Sequence, residues 1–168
     1  MRKSLFLSSL LLAGCATRPP TPAPRPIPPV RPVERPVPTP AQYVAISASR
    51  SLLLVRGAEL VSARAPGLAA EAERIAAAHR GVAAQLNFAG RRLELLPSAE
   101  LLPADRLQLE GLAGSADLAT AWRRVVGTAL ANCDAHEADY AERGASPTLR
   151  PVARFALGVC REELARRR

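Results

Sequence analysis

From residue 41 onward the apolar positions recur at alternating gaps of four and three, the spacing that puts every member on one face of a helix. Leu68, Ala72, Ile75, His79, Val82 and Leu86 form the clearest such stripe. A second runs Leu118, Trp122, Val125, Ala129, Cys133, His136 and Tyr140, and a third runs Leu149, Ala153, Ala156, Cys160 and Leu164. The segment 41–65 is helical in composition, and its run Leu52 to Val55 is apolar all round, which predicts deep burial. No stretch alternates with period two for long enough to predict a strand.

Punctuation separates these segments. Pro66 divides the first helix from the second, and Gly144 closes the third. Ser146 followed by Pro147 has the form of an N-cap and first helical residue, opening the fourth. Residues 97–115, with Pro97, Pro103, Gly111 and Gly114, read as a long crossover with room for one short helix from Pro103 to Glu110. Two hairpins joined by one longer connection predict an all-α domain over 41–168, a four-helix bundle with up-down hairpins. Its 128 residues suffice for one hydrophobic core.

The chain before residue 41 is of a different kind. Residues 1–14 have the layout of an export signal: Arg2 and Lys3, then an apolar run from Leu5 to Ala13 broken only by Ser8 and Ser9. That run is too short to cross a bilayer, which takes about 20 apolar residues. It ends in Leu12-Ala13-Gly14-Cys15, which resembles the lipobox of bacterial lipoproteins. The resemblance implies cleavage before Cys15 and acylation of its thiol. Ala16 follows, not the aspartate that in Gram-negative lipoproteins favours the inner membrane, so an outer-membrane position facing the periplasm is expected. Residues 15–40 then form the lipidated cysteine and a linker with eleven prolines and four arginines, expected to be disordered and stiff. Polyproline II extends about 3.1 Å per residue, so this is a spacer first and an aromatic-groove ligand second.

The formal net charge of +8 suggests nucleic acid until it is divided along the chain. The signal holds +2 and the linker +3, leaving +3 for the helical domain, where Arg166, Arg167 and Arg168 cluster at the end. Aromatics are 4% of the chain and are not interleaved with a basic stripe, so no nucleic-acid partner is expected. The linker arginines suit anionic lipid or cell-wall polymers instead.

With Cys15 assigned to lipid, Cys133 and Cys160 remain. Both lie on inward stripes, and in an antiparallel hairpin turning near residue 146 they fall at about the same height. In an oxidising compartment they are disulfide candidates; the alternative is a pair of buried thiols serving as small apolar residues. A weaker metal reading groups Cys133, His136 and Cys160, with His79 as a further candidate, but a disulfide would consume both sulfurs. A diiron reading fails, because residues three before His79 and His136 are Ala76 and Cys133, not glutamates. Glu71, Glu73, Glu137, Asp139, Glu162 and Glu163 read as solvated faces or ion pairs. No nucleophile elbow, phosphate loop or paired-histidine zinc helix occurs, so no cofactor and no catalytic residue is expected.

Tyr43-Val44-Ala45, the Ala72 to Leu86 stretch around His79, Tyr140-Ala141 with Gly144, Pro147-Thr148-Leu149-Arg150 and Val152-Ala153 together resemble the exported bacterial family called domain of unknown function four-one-four-two. That resemblance implies a ferritin-like fold and an outer-membrane association over nearly all of 41–168. Against the family's pattern, its helix-one glutamate falls at Leu54, its Asp-His pair at Ala78-His79, its third-helix histidine near Leu130 and its last-helix histidine near Glu163. Only His79 keeps the usual type, which implies that metal binding at those positions is lost. The expectation is a non-enzymatic envelope lipoprotein, tethered to the membrane, that displays a bundle to an envelope protein or cell-wall partner. The alternative is a metal-binding or redox-sensing periplasmic bundle.

Overall fold

The structure, a computed structural model, describes residues 36–167. The export signal 1–14, Cys15, the linker up to residue 35 and Arg168 lie outside the described residues. Among the described residues five α-helices follow one another: α1 Pro40–Arg64, α2 Ala69–Leu93, α3 Pro103–Ala113, α4 Leu118–Arg143 and α5 Leu149–Ala165. A single 3-10 turn, Pro66–Leu68, joins α1 to α2. The all-α class holds. The four-helix, ferritin-like bundle expected from the sequence does not, because α3 is an eleven-residue helix docked on its neighbours and not a crossover.

The reason lies in what α3 touches. Leu112, 1% exposed, packs into the cluster around Trp122, Leu53, Leu54 and Leu130. At its start the buried Ser49 hydroxyl accepts the Leu102 N–H at 2.9 Å and donates to Asp105. At its end Arg64 donates to the Ala113 carbonyl at 2.7 Å. On α1, Gly57 leaves the space: a Cβ there would lie 3.0 Å from the Trp122 ring and 3.3 Å from Leu112. A short helix with few inward residues is thus held by backbone and hydroxyl contacts that no hydrophobic stripe reveals.

Local chemistry sets the other boundaries. Thr39 and Gln42 form a capping box, each side chain accepting the other's backbone N–H at 3.3 and 2.9 Å, with Pro40 at the first helical position. At the far end of α2 the chain turns through Glu94 in the left-handed region, φ 57°, and Leu95 N–H closes on the Gly90 carbonyl at 2.9 Å. Helix α5 begins at Leu149, later than Pro147, but Ser146 still accepts the Leu149 N–H at 3.3 Å. Gly144 follows α4 with φ −57°, so it is needed for closeness and not for a left-handed turn. A Cβ there would meet the Tyr140 carbonyl at 2.5 Å and the Tyr140 ring at 2.6 Å.

The helices pack as two hairpins, α1 on α2 and α4 on α5, with α2 against α5, α1 against α4, and α3 across α1 and α4. Ion pairs Arg74–Glu163 and Arg167–Glu71 bind α2 to the α5 end of the chain. Cys133 on α4 and Cys160 on α5 form a disulfide with Cα atoms 6.2 Å apart, within the usual bridging range. Both are almost sealed from solvent, at 4% and 0% exposure. No helix among the described residues is long and apolar enough to cross a membrane.

Candidate functional site

The most concentrated buried polar chemistry sits where α1 meets α4. On α1, Tyr43, Ser47 and Arg50 follow each other at gaps of four and three, one face of the helix. Across from them α4 presents His136, Glu137 and Tyr140. The Tyr43 hydroxyl donates to Glu137 Oε2 at 2.8 Å, and the Ser47 hydroxyl donates to Oε1 at 2.6 Å. The Tyr43 ring stacks on Tyr140, centroids 3.9 Å apart, and on His136 at 5.5 Å. Glu137 is 1% exposed, so its carboxylate has exchanged water for two hydroxyls from the opposing helix.

Electrostatics follow from that burial. Desolvation pushes Glu137 up to about 7, opposed by the Ser47 and Tyr43 hydrogen bonds and by the Arg50 charge. Burial and the nearby carboxylate push the Tyr43 phenol up as well. Arg50 donates to the Asn132 carbonyl at 3.1 Å, and burial lowers its affinity for its proton while Asp105 and Glu137 restore some of it. His79 and His136 are each held down to about 4, first by burial and then by the Arg50 charge. Neither ring nitrogen of His79 has a hydrogen-bond partner, and His136 Nε2 has none.

The residues singled out from the sequence divide accordingly. Cys15 lies outside the described residues. Cys133 and Cys160 are joined to each other, so neither offers a thiolate, and the metal grouping with His136 and His79 loses its two sulfur ligands. Among the described residues no cluster of three or more His, Cys, Asp or Glu is arranged to hold a metal ion. His79 sits in the α2 core and His136 against Tyr43. At the positions compared with polar family residues, Leu54 and Leu130 are fully buried apolar side chains, while Glu163 is paired with Arg74.

Glu137 is the residue whose reading changes. The sequence places it among solvated acids, and Glu71, Asp139, Glu162 and Glu163 do form ion pairs with Arg167, Arg143, Arg166 and Arg74. Glu137 is instead buried at the α1–α4 seam. One signal is available: Glu137 lies four residues after Cys133 and three before Tyr140, so it fits the inward stripe of α4 as well as His136 does. No family model matches this chain, and no curated protein or solved structure matches it.

Proposed function

We propose that the chain is an exported lipoprotein, cut before Cys15 and acylated there, whose helical domain serves as a non-catalytic interaction module on a stiff tether in the cell envelope. The observation that carries this reading is the sealed Cys133–Cys160 disulfide, because a persistent structural disulfide belongs to an oxidising compartment. The signal-like residues 1–14 and Cys15 supply a route to such a compartment and an anchor within it. Each methylene buried in lipid contributes about 0.8 kcal/mol, so several acyl chains hold the protein without a membrane-spanning helix.

The non-catalytic character rests on the seam. Its carboxylate and phenols are 0–1% exposed, so a substrate would have to push α1 away from α4 to reach them. Placement at the outer membrane, facing the periplasm, is supported by Ala16 after Cys15, and an envelope protein or cell-wall polymer is the kind of partner such a tethered module meets. Replacing Cys15 with serine is expected to abolish labelling by a palmitate analogue and to move the protein from the membrane to the soluble fraction. Palmitate labelling that survives this substitution would rule out acylation at Cys15.

A further inference from the structure

The two hairpins meet along α1 and α4, and that seam holds a carboxylate hydrogen-bonded to hydroxyls and, among the described residues, in no ion pair. Glu137 takes both of its hydrogen bonds from hydroxyls of α1. Arg50, one turn beyond Ser47, acts on it at longer range while donating to Asn132. A buried charge held by two neutral hydroxyls, with a cation only at longer range, is costly, whereas a neutral carboxylic acid in the same place is not. The phenol of Tyr43 can accept as well as donate, so a protonated Glu137 keeps its partners.

We propose that the α1–α4 seam is a proton-operated clasp, closed most firmly when the Glu137 carboxyl carries its proton and loosened when it ionises. The charges that act on it come from α1, and the titratable groups of the other packed elements lie around it or are engaged elsewhere. Tyr43 and Arg50 face it from α1, while His136 and Tyr140 flank it on α4. His79 on α2 and Asp105 near the start of α3 act through the shared Arg50. On α5, Arg161, Glu162 and Glu163 are engaged by Asp134, Arg166 and Arg74, and Arg150 and Arg154 add positive charge at its start. Both histidines lose affinity for protons on burial, so they oppose the carboxyl: acid closes the clasp through Glu137 and strains it through His79 and His136. The segment released by opening is the first half of α1, the half that continues from the proline-rich segment.

The test isolates the carboxyl from the histidines. Amide hydrogen exchange over residues 40–50, in the full chain in detergent and corrected for intrinsic rates, gives the opening constant at pH 5.5 and 7.5. Glu137→Gln imitates the protonated form and cannot ionise. Opening of the unaltered chain relative to this variant is expected to rise roughly twentyfold between the two pH values, the change linkage gives for a carboxyl moving from 4.5 when open to about 7 when closed. A ratio that stays constant would overturn the proposal. Should Glu137→Gln fail to fold, Ser47→Ala retains the carboxyl and removes a donor that favours its ionised form. Its opening midpoint should move to higher pH, and an unmoved midpoint would overturn the proposal equally.

Discussion

A chain in which Cys133 and Cys160 are both replaced by alanine is expected to lose about 3.5 kcal/mol of stability, the loop-entropy contribution of a bridge across a sequence separation of 27. For a domain of this size that corresponds to a fall in Tm of roughly 10–20 °C. Most of the effect lies in the unfolded chain, where α4 and α5 would no longer be joined. The folded hairpin keeps Trp122, Val125, Ala129, Ala153 and Ala156 in its core, so helix content at low temperature should be preserved. Thermal unfolding by circular dichroism, with and without reductant, checks this directly. Equal midpoints in oxidised, reduced and alanine forms would mean that the bridge does not constrain the domain.

Stability is expected to fall as the solution is acidified below about pH 6.5, and His79 is expected to supply a large share of that loss. The ordinary value of each histidine is 6.5 and its folded value about 4, so each contributes stability that is complete above 6.5 and lost as pH falls to 4. Glu137 has the opposite sign: raised from 4.5 to about 7, it contributes stability that is complete below 4.5 and lost as pH rises through 7. Between 4.5 and 6.5 two histidines outweigh one carboxyl, by about 2 kcal/mol, and maximum stability falls near pH 7. His79→Leu removes two buried nitrogens without partners and should stabilise the domain by about 1–3 kcal/mol at pH 7. The gain should be larger at pH 5. Urea denaturation at both values decides the matter, and a variant with the same pH slope as the unaltered chain would contradict it.

The inward stripes of α2, α4 and α5 are legible in the sequence because their residues are apolar and regularly spaced. Of the all-apolar run from Leu52 to Val55, Leu53 and Leu54 are fully buried, while Leu52 and Val55 are half-buried, so the expected deep burial holds for the middle pair alone. Helix α3 is legible as a short helix from Pro103, but its docking is not, because its anchors are of another kind: the Ser49 hydroxyl on another helix, a carbonyl contact from Arg64, and a pocket left by Gly57. None of these leaves a periodic trace. Gly144 is recognisable as a helix end, yet its cause is the Tyr140 ring lying where a Cβ would be, which sequence punctuation does not reveal.

The seam is hidden for a related reason. A glutamate among glutamates looks like a solvated face, and only the distant Tyr43 and Ser47, 94 and 90 residues away, make its burial tolerable. Spacing on α4 allows Glu137 inside but gives no partner to place it there. The disulfide is the opposite case. Its two residues lie on two clear stripes at about equal distance from one turn, so local periodicity alone brings them level.

The measurement that bears most directly on the lipoprotein reading is the intact mass of the full protein extracted from bacterial membranes, before and after reduction and thiol alkylation. The expected result is a chain that begins at Cys15 and carries added acyl mass, with two alkylation sites that open only after reduction. A chain that keeps residues 1–14, or that starts at Cys15 without acyl mass, would contradict the anchor. Two thiols that alkylate in the unfolded protein without reductant would contradict the bridge on which the assignment to an oxidising compartment rests.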